Sequence, residues 1–164
     1  MVNKGRKIAV FLTLGGSLNQ WENLGILERE LAIYKLLYLK YKIKTLVISF
    51  GNKKEKDISN RYNFLDIISN QLGLHQRLYQ FLLPIIGLRK FKDVKLVKTN
   101  QFYGVHLARR VATLFKKPLI IRQGYNFLSN RKREKINKKL LIKATNYERE
   151  FIDQGDQNIF TTDK

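Results

Sequence analysis

Short, nearly unbroken apolar runs alternate along this chain with longer stretches in which apolar residues return every three or four positions. The runs predict strands at residues 7–13, 45–50 ("TLVISF", ended by Gly51) and 94–99 ("VKLVKT"). Another opens at Pro118 as "PLIIRQ" and stops at Gly124, and a last short one reads "NIFTTD". Residues 63–69 ("NFLDIIS") are short enough to be ambiguous, and a strand is the working assignment.

The helical spacing predicts a helix over residues 21–41, where Leu24, Leu27, Leu31, Tyr34, Tyr38 and Tyr41 share a side, with Ser17 or Asn19 as its cap. A second covers residues 74–88 and is interrupted at Pro84. A third covers residues 104–115, with Ala108, Val111, Ala112 and Phe115 on one side. A long basic helix spans about residues 130–151, and residues 52–60 read as a charged loop. Strands alternating with helices mean a mainly parallel sheet with right-handed crossovers. The expected fold is therefore α/β, a Rossmann-like doubly wound sheet with helices on both faces, in one domain spanning residues 1–164.

Composition narrows the chemistry. The 164 residues are 44% hydrophobic, enough for one full domain with a core. Cysteine is absent, which excludes disulfides, thiolate metal sites and a cysteine nucleophile. With only His75 and His106 besides, no metal and no cofactor are expected. The apolar run near the amino end is too short for a secretory signal, and no stretch reaches the roughly 20 apolar residues of a membrane span. A cytoplasmic location is expected, or a peripheral one on the inner face of the membrane.

Net charge is +19, from 32 Lys and Arg against 13 Asp and Glu. Nucleic acid, an anionic membrane surface and a plain bias toward Lys, Asn and Ile each account for such a balance. The densest cluster is Arg131, Lys132, Arg133, Lys135, Lys138 and Lys139, just before an apolar series from Leu140 to Phe151. It reads either as the solvated side of a helix or as a contact for anionic head groups. Nucleic acid is the less favoured partner, because the basic residues are spread out and no stacking motif accompanies them.

Ligands of such sheets bind beyond the carboxyl ends of the strands. Gly15-Gly16-Ser17, Gly51-Asn52, Asn100-Gln101 and Arg122-Gln123-Gly124-Tyr125 all fall there. The glycines lack both the dinucleotide spacing and a Walker lysine, so the first segment is either a structural turn or an anion cradle. Asn100 reads equally as a helix cap, and Arg122 as one half of a salt bridge. Glu22 and Glu30 are spaced E-x7-E, but lying within one amphipathic helix they read as surface or ion-pair residues. His106 reads as structural and His75 as solvated.

In order and spacing, "SLNQWENLGILERELAIYKLL", "TLVISFG", "VKTNQFYGVHLARRVATLFKKPLIIRQGY" and "NIFTTD" resemble the amino-terminal half of GT-B retaining glycosyltransferases of the family 4 type. The resemblance implies an acceptor-side domain of a nucleotide-sugar-dependent enzyme of polysaccharide or glycolipid synthesis. In it, Gly15, Gly16 and Ser17 would face the donor phosphates. Asn100, Gln101, Arg122, Gln123, Gly124 and Tyr125 would hold a saccharide or lipid-linked acceptor. The family's donor-binding domain has no counterpart in the chain, so the isolated chain is expected to be inactive and its catalytic residues stay unassigned. The remaining readings are a non-catalytic nucleic-acid-binding domain and a separately encoded half-enzyme needing a partner subunit.

Overall fold

The computed structural model describes residues 6–124, 138–152 and 154–160. Within them the strands are β1 (Lys7–Phe11), β2 (Lys44–Ile48), β3 (Leu65–Ile68), β4 (Val94–Thr99), β5 (Leu119–Gln123) and β6 (Gln157–Phe160). They form one sheet in the order β3-β2-β1-β4-β5-β6, every pair parallel. The order reverses between β1 and β4, which is the switch point of a doubly wound Rossmann-like sheet.

The helices are α1 (Leu18–Asn23), α2 (Leu27–Tyr41), α3 (Glu55–Arg61), α4 (Gln76–Ile86), α5 (Leu88–Lys92), α6 (Val105–Leu114) and α7 (Lys138–Ile152). Alternation along β1 divides the core: Ala9 and Phe11 face one layer, Val10 and Leu12 the other. The first layer holds Tyr79, Leu83, Phe91, Val111 and Phe151 from α4, α5, α6 and α7. The second holds Leu18, Leu27, Leu31, Tyr34 and Ile58 from α1, α2 and α3, and no buried residue of β5 or β6 joins it.

Four expectations need correction. Residues 21–41 are not one helix, because Gly25 (φ +68°) ends α1 in a left-handed turn. There the amide of Ile26 donates to Trp21 O (2.9 Å) and that of Gly25 to Glu22 O (2.9 Å), the paired bonds of a Schellman stop. Glu22 and Glu30 consequently lie on different helices, where each forms the ion pair expected of it: Arg61–Glu22 at 2.5 Å and Arg29–Glu30 at 2.9 Å.

The supposed loop at 52–60 contains α3, whose buried side is Glu55 and Ile58, one turn apart. Pro84 does not interrupt its helix; α4 runs through it to Ile86, with Leu83 and Pro84 both buried. Asn100 caps no helix, since α6 starts after Gly104 (φ 105°). Residues 130–137 of the basic helix expected at 130–151 lie outside the described residues, as do the last residues of "NIFTTD".

Candidate functional site

Hydrogen bonds knit the loops leaving the carboxyl ends of the strands into one continuous band. Asn70 N donates to Gly51 O (2.9 Å), Phe50 N to Gly16 O (3.0 Å) and Leu14 N to Tyr103 O (3.1 Å). At the far end the Gly124 amide donates to the Gln101 side-chain oxygen (2.9 Å). The sheet thus brings together Gly15, Gly16, Ser17, Gly51, Asn100, Gln101 and Gly124, as the chain pattern led one to expect. Tyr125, Arg131, Lys132, Arg133 and Lys135 lie outside the described residues. Lys138 opens α7, and Lys139 follows it, exposed.

The glycine loop turns tightly. Gly16 N donates to Thr13 O (2.7 Å) and Gly15 takes φ +82°, a conformation costly for any residue with a Cβ. Ser17 caps α1, its Oγ accepting from Gln20 N (3.1 Å). The other opening amides of α1 meet an internal anion. Glu55 Oε1 accepts from Leu18 N (2.6 Å) and Asn19 N (3.2 Å), and from Ser49 Oγ (2.8 Å). Nothing in "NKKEKD" distinguishes Glu55 from its solvated neighbours, and sequence reasoning passed over it.

Glu55 is fully buried, and among the described residues its Oε2 has no hydrogen-bond partner. Loss of solvation raises its pKa, opposed by the bonds from Ser49, Asn19 and Leu18. Below it the buried Tyr79 hydroxyl donates to Ser49 O (2.9 Å), fixing the end of β2. Gln76, at the start of α4, approaches the open side of Gly15: a Cβ there would lie 3.5 Å from Gln76 Nε2.

Arg122 and Lys98 project from the same side of adjacent strands, Lys98 pairing in register with Ile120. Arg122 Nη1 donates to Asn100 O (3.1 Å), and its backbone amide to Thr99 Oγ1 (2.9 Å). Lys98 Nζ donates to Thr99 O (3.3 Å) and reaches the Tyr34 hydroxyl at 3.5 Å. Burial, with Arg122 adding repulsion, brings the Lys98 pKa down to about 8; burial takes Tyr34 up to about 12. Among the described residues neither cation has a carboxylate within salt-bridge distance. Gln123 turns the other way, its Nε2 donating to Glu148 Oε1 of α7 (2.7 Å), both residues buried.

The histidines do structural work. His106 Nδ1 lies 2.9 Å from the Tyr147 hydroxyl, and His75 caps α4 by accepting from Arg77 N (3.4 Å). No cluster able to hold a metal ion occurs among the described residues, and no described helix is long and apolar enough to cross a membrane.

No protein-family model and no curated protein matches the chain. Among solved structures it is similar to HepE of Anabaena in complex with UDP and glucose. That likeness has 17% identity and a TM-score of 0.50, and covers 89% of this chain and 36% of HepE. The complex of HepE with UDP-glucose gives 17% identity, a TM-score of 0.50, and coverage of 88% and 35%. The chain spans about a third of the length of HepE. At this identity the likeness is one of fold alone: an α/β, Rossmann-like domain.

Proposed function

We propose that the chain is the acceptor-side half of a nucleotide-sugar-dependent glycosyltransferase, acting in polysaccharide or glycolipid synthesis. The observation that carries this reading is the hydrogen-bonded band along the carboxyl edge of the sheet, where amides, glycines and a cation meet at the switch point. Its likeness to HepE, solved with UDP-glucose, supports a nucleotide-sugar donor.

In this reading the donor diphosphate approaches over Gly15. The amides of Leu18, Asn19 and Gln20 are already engaged by Glu55 and Ser17, so they set the loop's shape rather than bind phosphate. Asn100, Gln101, Arg122 and Gly124 line the acceptor side, with Gln101 holding Gly124 in place. The fixed dipoles and the Arg122 charge orient a hydroxyl acceptor toward the donor's anomeric carbon and stabilise charge on the departing diphosphate. Donor affinity would come mainly from a second domain, so the chain alone binds UDP-glucose weakly, with a Kd in the millimolar range, roughly −4 kcal/mol.

Backbone NMR during titration with UDP-glucose tests this. Shifts are expected at Gly15–Ser17, Gln76 and Gln101, and sugar transfer only when a donor-binding domain is supplied. Saturable shifts confined to α2 or α7, or efficient transfer by the chain alone, would overturn the reading.

A further inference from the structure

Six large apolar side chains stand exposed between Leu72 and Leu88: Leu72, Leu78, Phe81, Ile85, Ile86 and Leu88. Single exposed apolar residues are ordinary, but a cluster of this density, with Leu78, Phe81, Ile85 and Ile86 on one helix, marks a contact surface. Leu78, Phe81 and Ile85 recur at spacings of three and four, forming a stripe on the outer side of α4. Phe81 is 62% and Ile85 69% exposed, while Tyr79 and Leu83 on the opposite side are buried. The helix therefore has two apolar faces, and the sheet covers only one.

Along the segment that carries the stripe, charge has a single sign. Between Asp66 and Asp93 there is no acidic residue, whereas Arg77, Arg89, Lys90 and Lys92 all occur there. From α6, the exposed Arg110 guanidinium lies 5.2 Å from the centre of the Phe81 ring, and Leu114, one turn further, is 61% exposed. The outer side of α2 differs: Ile33, Leu36 and Leu39 are exposed there, but Glu28 and Glu30 share that helix with its lysines.

We propose that the α4 ridge docks the protein on an anionic lipid surface, its stripe entering the interface and Arg77, Arg89, Lys92 and Arg110 meeting the head groups. An amphipathic helix with a cationic rim binds such surfaces through apolar burial combined with charge attraction. A second copy fits less well, because an isologous contact through this ridge would oppose two identical cationic rims. Docking does not depend on the glycosyltransferase reading. If that reading holds, the geometry suits it: α4 begins at Gln76 beside Gly15, so the ridge leads from the bilayer to the donor loop.

Flotation of the protein with phosphatidylglycerol–phosphatidylcholine vesicles, compared with phosphatidylcholine alone, tests the proposal. The protein is expected to float with the anionic vesicles only, and less as salt rises. The pair Phe81→Ser and Ile85→Ser should cut binding about tenfold or more, since it removes the inserting apolar area. Arg77→Gln with Arg89→Gln should weaken binding to anionic vesicles likewise. Circular dichroism should be unchanged in both, because the replaced side chains are exposed. Phe81→Trp should shift its emission to the blue on addition of anionic vesicles. The Arg131→Gln, Lys132→Gln, Arg133→Gln and Lys135→Gln variant, which alters the other basic segment, should still float. Loss of flotation in that variant with retention in the Phe81/Ile85 pair would overturn the proposal. So would a parent protein that ignores vesicles, or one that sediments as a dimer which the Phe81/Ile85 pair dissociates.

Discussion

The carboxyl group of Glu55 occupies the space a side chain at residue 51 would need: a Cβ on Gly51 would lie 2.3 Å from Glu55 Cδ. From there one oxygen of Glu55 ties together the end of β2, through Ser49, and the start of α1, through Leu18 and Asn19. Two loops of the candidate site are thereby locked through a buried acid.

Gly51→Ala should accordingly destabilise the fold by about 2–3 kcal/mol, the usual cost of overpacking a filled site. Urea denaturation measures it. Combined with Glu55→Ala, the two losses should sum to less than their separate values, because the second substitution removes the clash of the first. Strict additivity would mean the two residues do not touch.

The protonation of Glu55 predicts a direction with pH. Burial raises its pKa above the ordinary 4.5, so within that window the native state keeps a proton that the unfolded chain has released. Stability should fall as pH rises through the window. Glu55→Gln, which keeps one acceptor for the α1 amides, should flatten that slope in a series of denaturation curves. Glu55→Ala should cost about 2–4 kcal/mol throughout, since it leaves buried donors unpaired.

Lys98 gives the opposite sign at higher pH. Its pKa of about 8, against 10.5 for a free lysine, means the unfolded chain binds the proton more tightly between those values. Stability should rise with pH across that range, and Lys98→Met should abolish the rise while stabilising the protein by about 2 kcal/mol at pH 7. NMR of the lysine side chains should show one amine titrating near 8; a value near 10.5 for Lys98 would refute its burial.

Gln101→Ala removes the acceptor that holds the Gly124 amide. Thermal or chemical denaturation should register a loss of about 1 kcal/mol or less, the usual net value of one hydrogen bond. Hydrogen exchange at Gly124 should accelerate. If the acceptor reading is right, saccharide-induced shifts at Asn100 should weaken in the same variant.

The strands were legible because β1 and β2 are apolar on both faces, which produces near-continuous runs such as Ile8 to Leu12, while β4 and β5 keep enough Val, Leu and Ile between their polar residues to read as short apolar runs. The band of loops followed from knowing where strands end. Other features escaped because their signals are not periodic. Gly25 sits between two helical stretches whose apolar spacing happens to continue across it, so the break is visible only as a single glycine. In α3 one of the two buried positions is an acid, so its apolar period is reduced to Ile58. Glu55 looks like any charged residue until the amides of α1, distant in sequence, turn toward it. The outward face of α4 carries no distinguishing signal in the sequence, since composition alone does not say which of two apolar faces the sheet will cover.

The position of β1 in the sheet order also sets a timetable for synthesis. β1 leaves the ribosome first and soon finds β2 on one side, but its other partner begins only at Val94, paired with Lys7. At about 5–20 residues per second, the edge of the central strand waits on the order of 5–20 s for β4. During that interval the nascent chain exposes the unpaired ladder of Ala9, Val10 and Phe11, apolar on both faces and open to pairing with another chain. Expression yield should therefore depend on what shields that edge early, and slower translation through the β3–β4 connection should lower it.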